Sequence, residues 1–119
     1  VKRHSSLLSL FILALSSWST SAASLDKEIE YLYQYVAEAT ECVFVRNGKS
    51  YTTLEAVEHM QVKQGYFSKR IKSAEDFIKF SATKSTTSGK AYLIQCEGQE
   101  IVESADWLSS ALMSYRLAQ

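Results

Sequence analysis

The chain predicts an α+β fold: a single small disulfide-linked domain of about four helices with two short β-hairpins. Three observations lead there. The apolar period switches several times between helical and extended spacing, Asn47-Gly48 separates two β-branched and aromatic runs, and two well-separated cysteines follow a leader-like segment. That segment, residues 1–23, opens with Lys2-Arg3-His4, continues through the run "LLSLFILAL" and ends in "STSAAS". The order of basic, apolar and small residues matches a secretory signal peptide cut after Ala22 or Ala23. A nine-residue run falls short of the roughly 20 residues a membrane-spanning helix needs, so no membrane span is expected after cleavage.

In the domain of residues 24–119, Leu25, Ile29, Leu32, Val36 and Ala39 step by four and three, which predicts a helix over residues 24–40 with Ser24 as its cap. "CVFVRNGKSYT" then reads as a hairpin, because Asn-Gly tolerates the positive φ angles of a tight turn. The next helix starts at Thr52 or Thr53, with Glu55 in its first turn, and is expected to run to residue 72. "SAEDFIKFSATK" predicts a third helix over residues 74–83, capped by Ser73, with Phe77, Ile78 and Phe80 on its apolar side. The Ser/Thr/Gly-rich stretch from Thr83 to Lys90 reads as an unpacked loop, since it offers little apolar surface to offset ordering. "AYLIQC", "EGQE" and "IVE" give the second hairpin, and Ser104 stands where it could cap a last helix carrying Trp107, Leu108, Ala111, Leu112 and Tyr115.

Charge and cysteine count bound the function. Two of the 13 basic residues lie in the leader, which leaves 11 against 13 acidic residues. A slightly acidic domain lacks the basic footprint of a nucleic-acid binder. Cys42 and Cys96 are too far apart for a C-x-x-C redox or zinc motif, so in an exported chain they read as a structural disulfide. Closing a loop of about 55 residues stabilises a fold by roughly 4 kcal/mol in the loop-entropy account. One histidine in the domain and no paired-ligand spacing predict no metal and no cofactor.

The blocks "FVRNGKSYTTLEAVEHMQVK", "RIKSAEDFI" and "STTSGKAYLI", in that order, resemble the bacterial DUF5329 family of small exported proteins of unknown function. The resemblance spans residues 24–115. It implies a periplasmic domain without assigned catalytic residues, and a bridge that stabilises rather than reacts.

Candidate binding residues come from the second helix. On a wheel with Leu54 at zero, His59, Lys63, Tyr66 and Arg70 fall between about 120° and 180°, along one flank of an apolar face at about 200° to 300°. Such a stripe is where long side chains ordinarily lay their stems on the core and wet their heads. It is also where a cleft wall stands. Arg46 and Tyr51 of the hairpin are expected to join it, giving a surface for an anionic or glycan-like ligand or an envelope protein. Two other readings use the loop "SGKAY". Ser88 could serve His59 as a nucleophile, although neither G-x-S-x-G nor S-x-x-K is present and no catalytic residue is assigned. Alternatively Ser88 and Lys90 could enter the acidic active site of a periplasmic hydrolase such as lysozyme, as an inhibitor. The favoured reading is a non-catalytic periplasmic binding or accessory module.

Overall fold

The computed structural model describes Ala14 and residues 24–119; the expected signal segment otherwise lies outside the described residues. The chain runs α1 (Leu25–Glu38), β1 (Cys42–Arg46), β2 (Lys49–Tyr51), α2 (Thr53–Tyr66), a 3-10 turn (Ser68–Arg70), α3 (Ala74–Ser81), β3 (Leu93–Cys96), β4 (Val102–Glu103) and α4 (Ser104–Leu117). Four helices and a small antiparallel sheet make up the α+β domain expected from the sequence.

Three of the four helix starts follow the sequence signals. Ser24 accepts a hydrogen bond from the Lys27 amide, and Ser73 accepts one from the Asp76 amide. Thr52 and Glu55 form a reciprocal capping box. Each such cap contributes about 1 kcal/mol by satisfying a donor the helix cannot. The fourth differs: Ser104 is the first residue of α4 rather than its cap. Glu103 holds the cap position without a side-chain bond, because β4 runs straight into the helix. The Ser104 amide instead donates to the Tyr92 carbonyl at 2.9 Å.

Helix ends are where the sequence reading overran. α1 stops at Glu38, and α3 stops at Ser81, where the Thr83 hydroxyl turns back to donate to the Ile78 carbonyl. α2 ends at Tyr66, six residues early, and the chain tightens into the 3-10 turn. The change of path stacks Phe67 on Phe80 with ring centroids 5.4 Å apart and buries Ile71.

Both hairpins belong to one sheet of order β2-β1-β3-β4, because the inner strands β1 and β3 pair antiparallel. Asn47 and Gly48 both adopt positive φ, 51° and 77°, which suits the right-handed twist of a two-residue hairpin turn. Cys42 lies opposite Cys96 in the β1–β3 register, and the two form a disulfide. Alternation puts Cys42, Phe44, Ile94 and Cys96 on the face covered by helices, while Val43 and Gln95 face outward. The core is built on this inner face from Leu32, Val36, Phe77, Ile94 and Leu108, all fully buried. At the far side Arg116 of α4 pairs with Glu28 of α1 and Glu75 of α3, which fastens three helices together.

The Thr83–Lys90 stretch is held by hydrogen bonds around a buried Ser85, although most of its residues are exposed. The Ser85 amide donates to the Lys90 carbonyl, the Gly89 amide to the Ser85 carbonyl, and the Tyr92 amide to the Thr83 carbonyl. Ser85 is 1 % exposed and accepts a bond from the Asn47 side chain. Hydroxyls paired with one another and with a turn give this segment the order that apolar surface does not supply.

Candidate functional site

The same alternation that buries Cys42 and Phe44 places Arg46, the last residue of β1, on the inner face. Tyr51, the register partner of Phe44, shares that face. Because α2 leaves β2 after a single residue, its first turns stand over these side chains. The result is a cleft of about 310 Å³. Its floor and walls are mainly apolar, from Phe44, Val45, Ala56, Met60, Val62 and Ala82, with Arg46, Tyr51, His59 and Tyr92 as inner polar groups. That composition, and a volume at the small end for a ligand site, fit a compact partly apolar molecule.

Tyr92 organises the polar wall. Its hydroxyl is 2.9 Å from His59 Nε2 and accepts from Lys63 Nζ at 3.2 Å, and the Lys63 ammonium also lies 4.9 Å from the Tyr92 ring centroid. Lys63 donates further to the Lys84 carbonyl at 2.7 Å. The side chain is 8 % exposed, yet no carboxylate pairs with it. Among the described residues both ion pairs involve Arg116, so Arg46 and Lys63 lack an acidic partner. The Arg46 Nε is also shut away from solvent without a hydrogen-bond acceptor. Unpaired buried polar groups are uncommon and costly, so the Arg46 Nε without an acceptor at the cleft is informative.

Titration follows the same pattern. Burial, then the positive charges of Arg46 and Lys63, push the His59 pKa down. Burial, Arg46 and Lys84 push the Lys63 pKa down as well. Burial raises the Tyr92 pKa, with Arg46 opposing and Tyr51 adding. Lys63 donates to the phenol oxygen, which leaves the phenol hydrogen available to His59 Nε2, and the lowered His59 pKa favours the neutral ring that can accept it. Two carboxylates, Glu55 and Glu58, also line the cleft, but both are exposed, and Glu55 is held in the helix cap by the Thr52 amide. The interior is therefore cationic and its rim acidic.

Of the residues expected from the sequence, the structure brings Arg46, Tyr51 and His59 into the cleft and sets Lys63 directly behind Tyr92. Tyr66 and Arg70 are elsewhere. The early end of α2 leaves Tyr66 81 % exposed against Phe67 and lays Arg70 over the Phe80 ring at 4.4 Å. Ser88 and Lys90 do not line the cleft either. The Ser88 hydroxyl donates to Asn47 and accepts from the Lys90 amide, so its bonding is used inside the loop, and His59 meets Tyr92 rather than a serine. Tyr92, at the start of the strand stretch "AYLIQC", is the cleft residue that sequence reasoning does not single out. Its signal was parity: it alternates in step with Ile94 and Cys96, the inward residues of β3.

Among the described residues, Glu41, Cys42 and Cys96 form one group close enough to hold a cation, but both sulfurs are joined in the disulfide and offer no thiolate. No described helix is long and apolar enough to cross a membrane.

The model of the family of unknown function DUF5329 matches residues 23–116. The chain belongs to that family. It is similar to the uncharacterized protein YfeK of Salmonella typhimurium, with 35 % identity over 81 residues, 68 % of each chain. No solved structure matches it. The matched span takes in every cleft residue, so the DUF5329 region and the domain that carries the cleft coincide.

Proposed function

We propose that this DUF5329 domain is a non-catalytic binding or accessory module of the periplasm, whose cleft takes a small anionic ligand with an apolar body. The observation that carries the reading is the cleft itself: apolar walls around Arg46 and His59, with no acidic partner for the Arg46 guanidinium, no acceptor for its Nε, and the Lys63 ammonium behind Tyr92 adding positive charge. An entering anion would supply what those groups lack in a partly desolvated site, where a charge-assisted bond is worth more than in water. The disulfide and the leader-like order of residues 1–23 support export.

Titration of the labelled protein with octanoate, octanamide and octylammonium, followed by amide NMR, tests the ligand chemistry. Octanoate should move the amides of Ala82 and Tyr92 and those around His59, with octanamide and octylammonium far weaker. Arg46→Met should weaken octanoate by at least about tenfold, the loss expected for a hydrogen bond to a charged group. Equal response to all three probes would refute an anion site. Export is tested separately by fractionating cells and sequencing the mature N-terminus, expected at Ala23 or Ser24. Recovery of the intact chain from the cytoplasm would refute it.

A further inference from the structure

Resting on the anion-site reading, we infer that the ligand is an apolar-bodied monoanion bound with its head group at Arg46 and His59, and that its entry is coupled to uptake of a proton by His59. The geometry supplies the coupling. His59 sits on the cleft wall with one ring nitrogen on the Tyr92 hydroxyl, and that hydroxyl is already receiving a hydrogen from Lys63. In the free protein the charges that bear most on the imidazole are the cations Arg46 and Lys63, with Glu55 and Glu58 out at the exposed rim, so a third positive charge is unfavourable.

An anion beside Arg46 reverses the local field. The same imidazole then gains a counter-charge, and protonation lets it donate both ring hydrogens. Tyr92 must rotate its hydroxyl hydrogen away to accept from the imidazolium, and the incoming head group provides a second acceptor for the site.

Every charged group facing His59 bears on the sign. Arg46 from β1 and Lys63 from α2 depress its proton affinity in the free protein, in addition to burial. Tyr51 from β2 and Tyr92, the residue before β3, also face the site, and burial holds the Tyr92 phenol above its usual range. Lys84, whose carbonyl holds Lys63, adds positive charge behind the wall. Glu55 and Glu58 on α2 are the opposing charges; both lie at the exposed rim, and Glu55 is committed to the helix cap. The net field is positive without ligand. Binding therefore raises the His59 proton affinity, and affinity for the anion must rise as pH falls through the value His59 has in the complex. It levels off below the value in the free protein. Each unit by which the anion raises the His59 pKa corresponds to about tenfold in affinity across that window.

The class of ligand follows from size and polarity. A space of about 310 Å³ with mainly apolar walls and one cationic side suits one head group and a short aliphatic or aromatic body. Such molecules include short-chain carboxylates and acylated or aromatic amino-acid acids, all of which share a single negative head.

The test uses 1-octanesulfonate, whose charge does not change over the working range, so any pH dependence belongs to the protein. Calorimetric titration of the oxidised full-length protein between pH 5 and 8, in two buffers of different ionisation enthalpy, reads both affinity and protons taken up. The expected result is tighter binding at the acid end and a positive proton uptake near neutrality. In His59→Gln, which keeps a hydrogen-bonding side chain, proton uptake should vanish and the affinity, weakened overall by loss of a head-group contact, should no longer change with pH. Binding that is independent of pH and buffer in the wild type would overturn the proton coupling and leave the anion site standing. A pH dependence unchanged in His59→Gln would overturn the assignment to His59. No binding of either octanesulfonate or octanoate would overturn both readings, provided Phe77 and Trp107 environments reported by near-ultraviolet dichroism show the fold intact.

Discussion

The two ends of β1 have opposite characters. At the Cys42 end the strand is covalently joined to β3, and beyond it lies a shallow depression of about 270 Å³ lined by Tyr35, Trp107, Glu38, Glu41 and Gln99. Aromatic contacts run through this end without a break: Tyr115 stacks on Tyr31 at 4.3 Å, Tyr35 meets Trp107 at 4.6 Å, and Trp107 meets Phe44 edge-on at 5.9 Å. At the Arg46 end the strand opens into the cleft, where cations lack partners and an Nε lacks an acceptor. Phe44 touches both regions, lining the cleft and closing the aromatic row. The contrast shows how a domain this small divides its labour. Satisfied packing and a covalent tie hold one end, and the stability gained there offsets the unsatisfied groups kept at the other.

Breaking the closed end should cost the most. The double substitution Cys42→Ala/Cys96→Ala is expected to lower unfolding free energy by roughly 4 kcal/mol in denaturant titration, with the cleft still binding octanoate under conditions where the variant remains folded. Lost binding in a folded variant would mean the two ends are not independent. Trp107→Ala removes the centre of the aromatic row and should cost about 3 kcal/mol, at the low end for a large aromatic because the ring is only partly buried.

The open end should respond the other way. Arg46→Met replaces a poorly satisfied cation with an apolar side chain of similar length. Thermal unfolding should show stability unchanged or raised, while octanoate binding is lost. A clear fall in melting temperature would show that Arg46 is structural. His59 gives the pH version of the same comparison. Its proton affinity is lower in the fold than in the unfolded chain, where it titrates near about 6.5. Below that value the unfolded state binds more protons, so stability is full above it and declines as pH falls through the folded value. His59→Gln should flatten that part of the stability–pH curve and leave the neutral region unchanged. The smallest effect is expected from Lys90→Ala: its side chain is exposed and outside the cleft, and both stability and octanoate affinity should stay within about 0.5 kcal/mol of wild type.

Much of the fold was legible because its determinants are local. Ser24, Thr52 and Ser73 announce helix starts through bonds that span three residues, and Asn47-Gly48 sets its hairpin through φ angles few other residues adopt. The cysteine pair was readable from the even count and the wide spacing of Cys42 and Cys96. Local rules failed where a distant contact chose between alternatives. Gly65 weakens the helix there but does not by itself fix its end; the stacking of Phe67 on Phe80 and the burial of Ile71 accompany the stop at Tyr66 and the removal of Tyr66 and Arg70 from the site. The loop from Thr83 to Lys90 reads as unpacked until the hairpin turn is placed against it and Asn47 supplies partners for Ser85 and Ser88.

The candidate site divides in the same way. Sequence alone determined that Arg46 alternates in step with Cys42 and Phe44, that His59 and Lys63 lie one turn apart on a helix, and that Tyr92 alternates in step with Ile94. Only the pairing of β1 with β3, under the first turns of α2, decided that these three short signals meet at one cleft. Side-chain direction is fixed by backbone period, which a sequence displays, whereas the distance between two elements is fixed by the packing of everything between them.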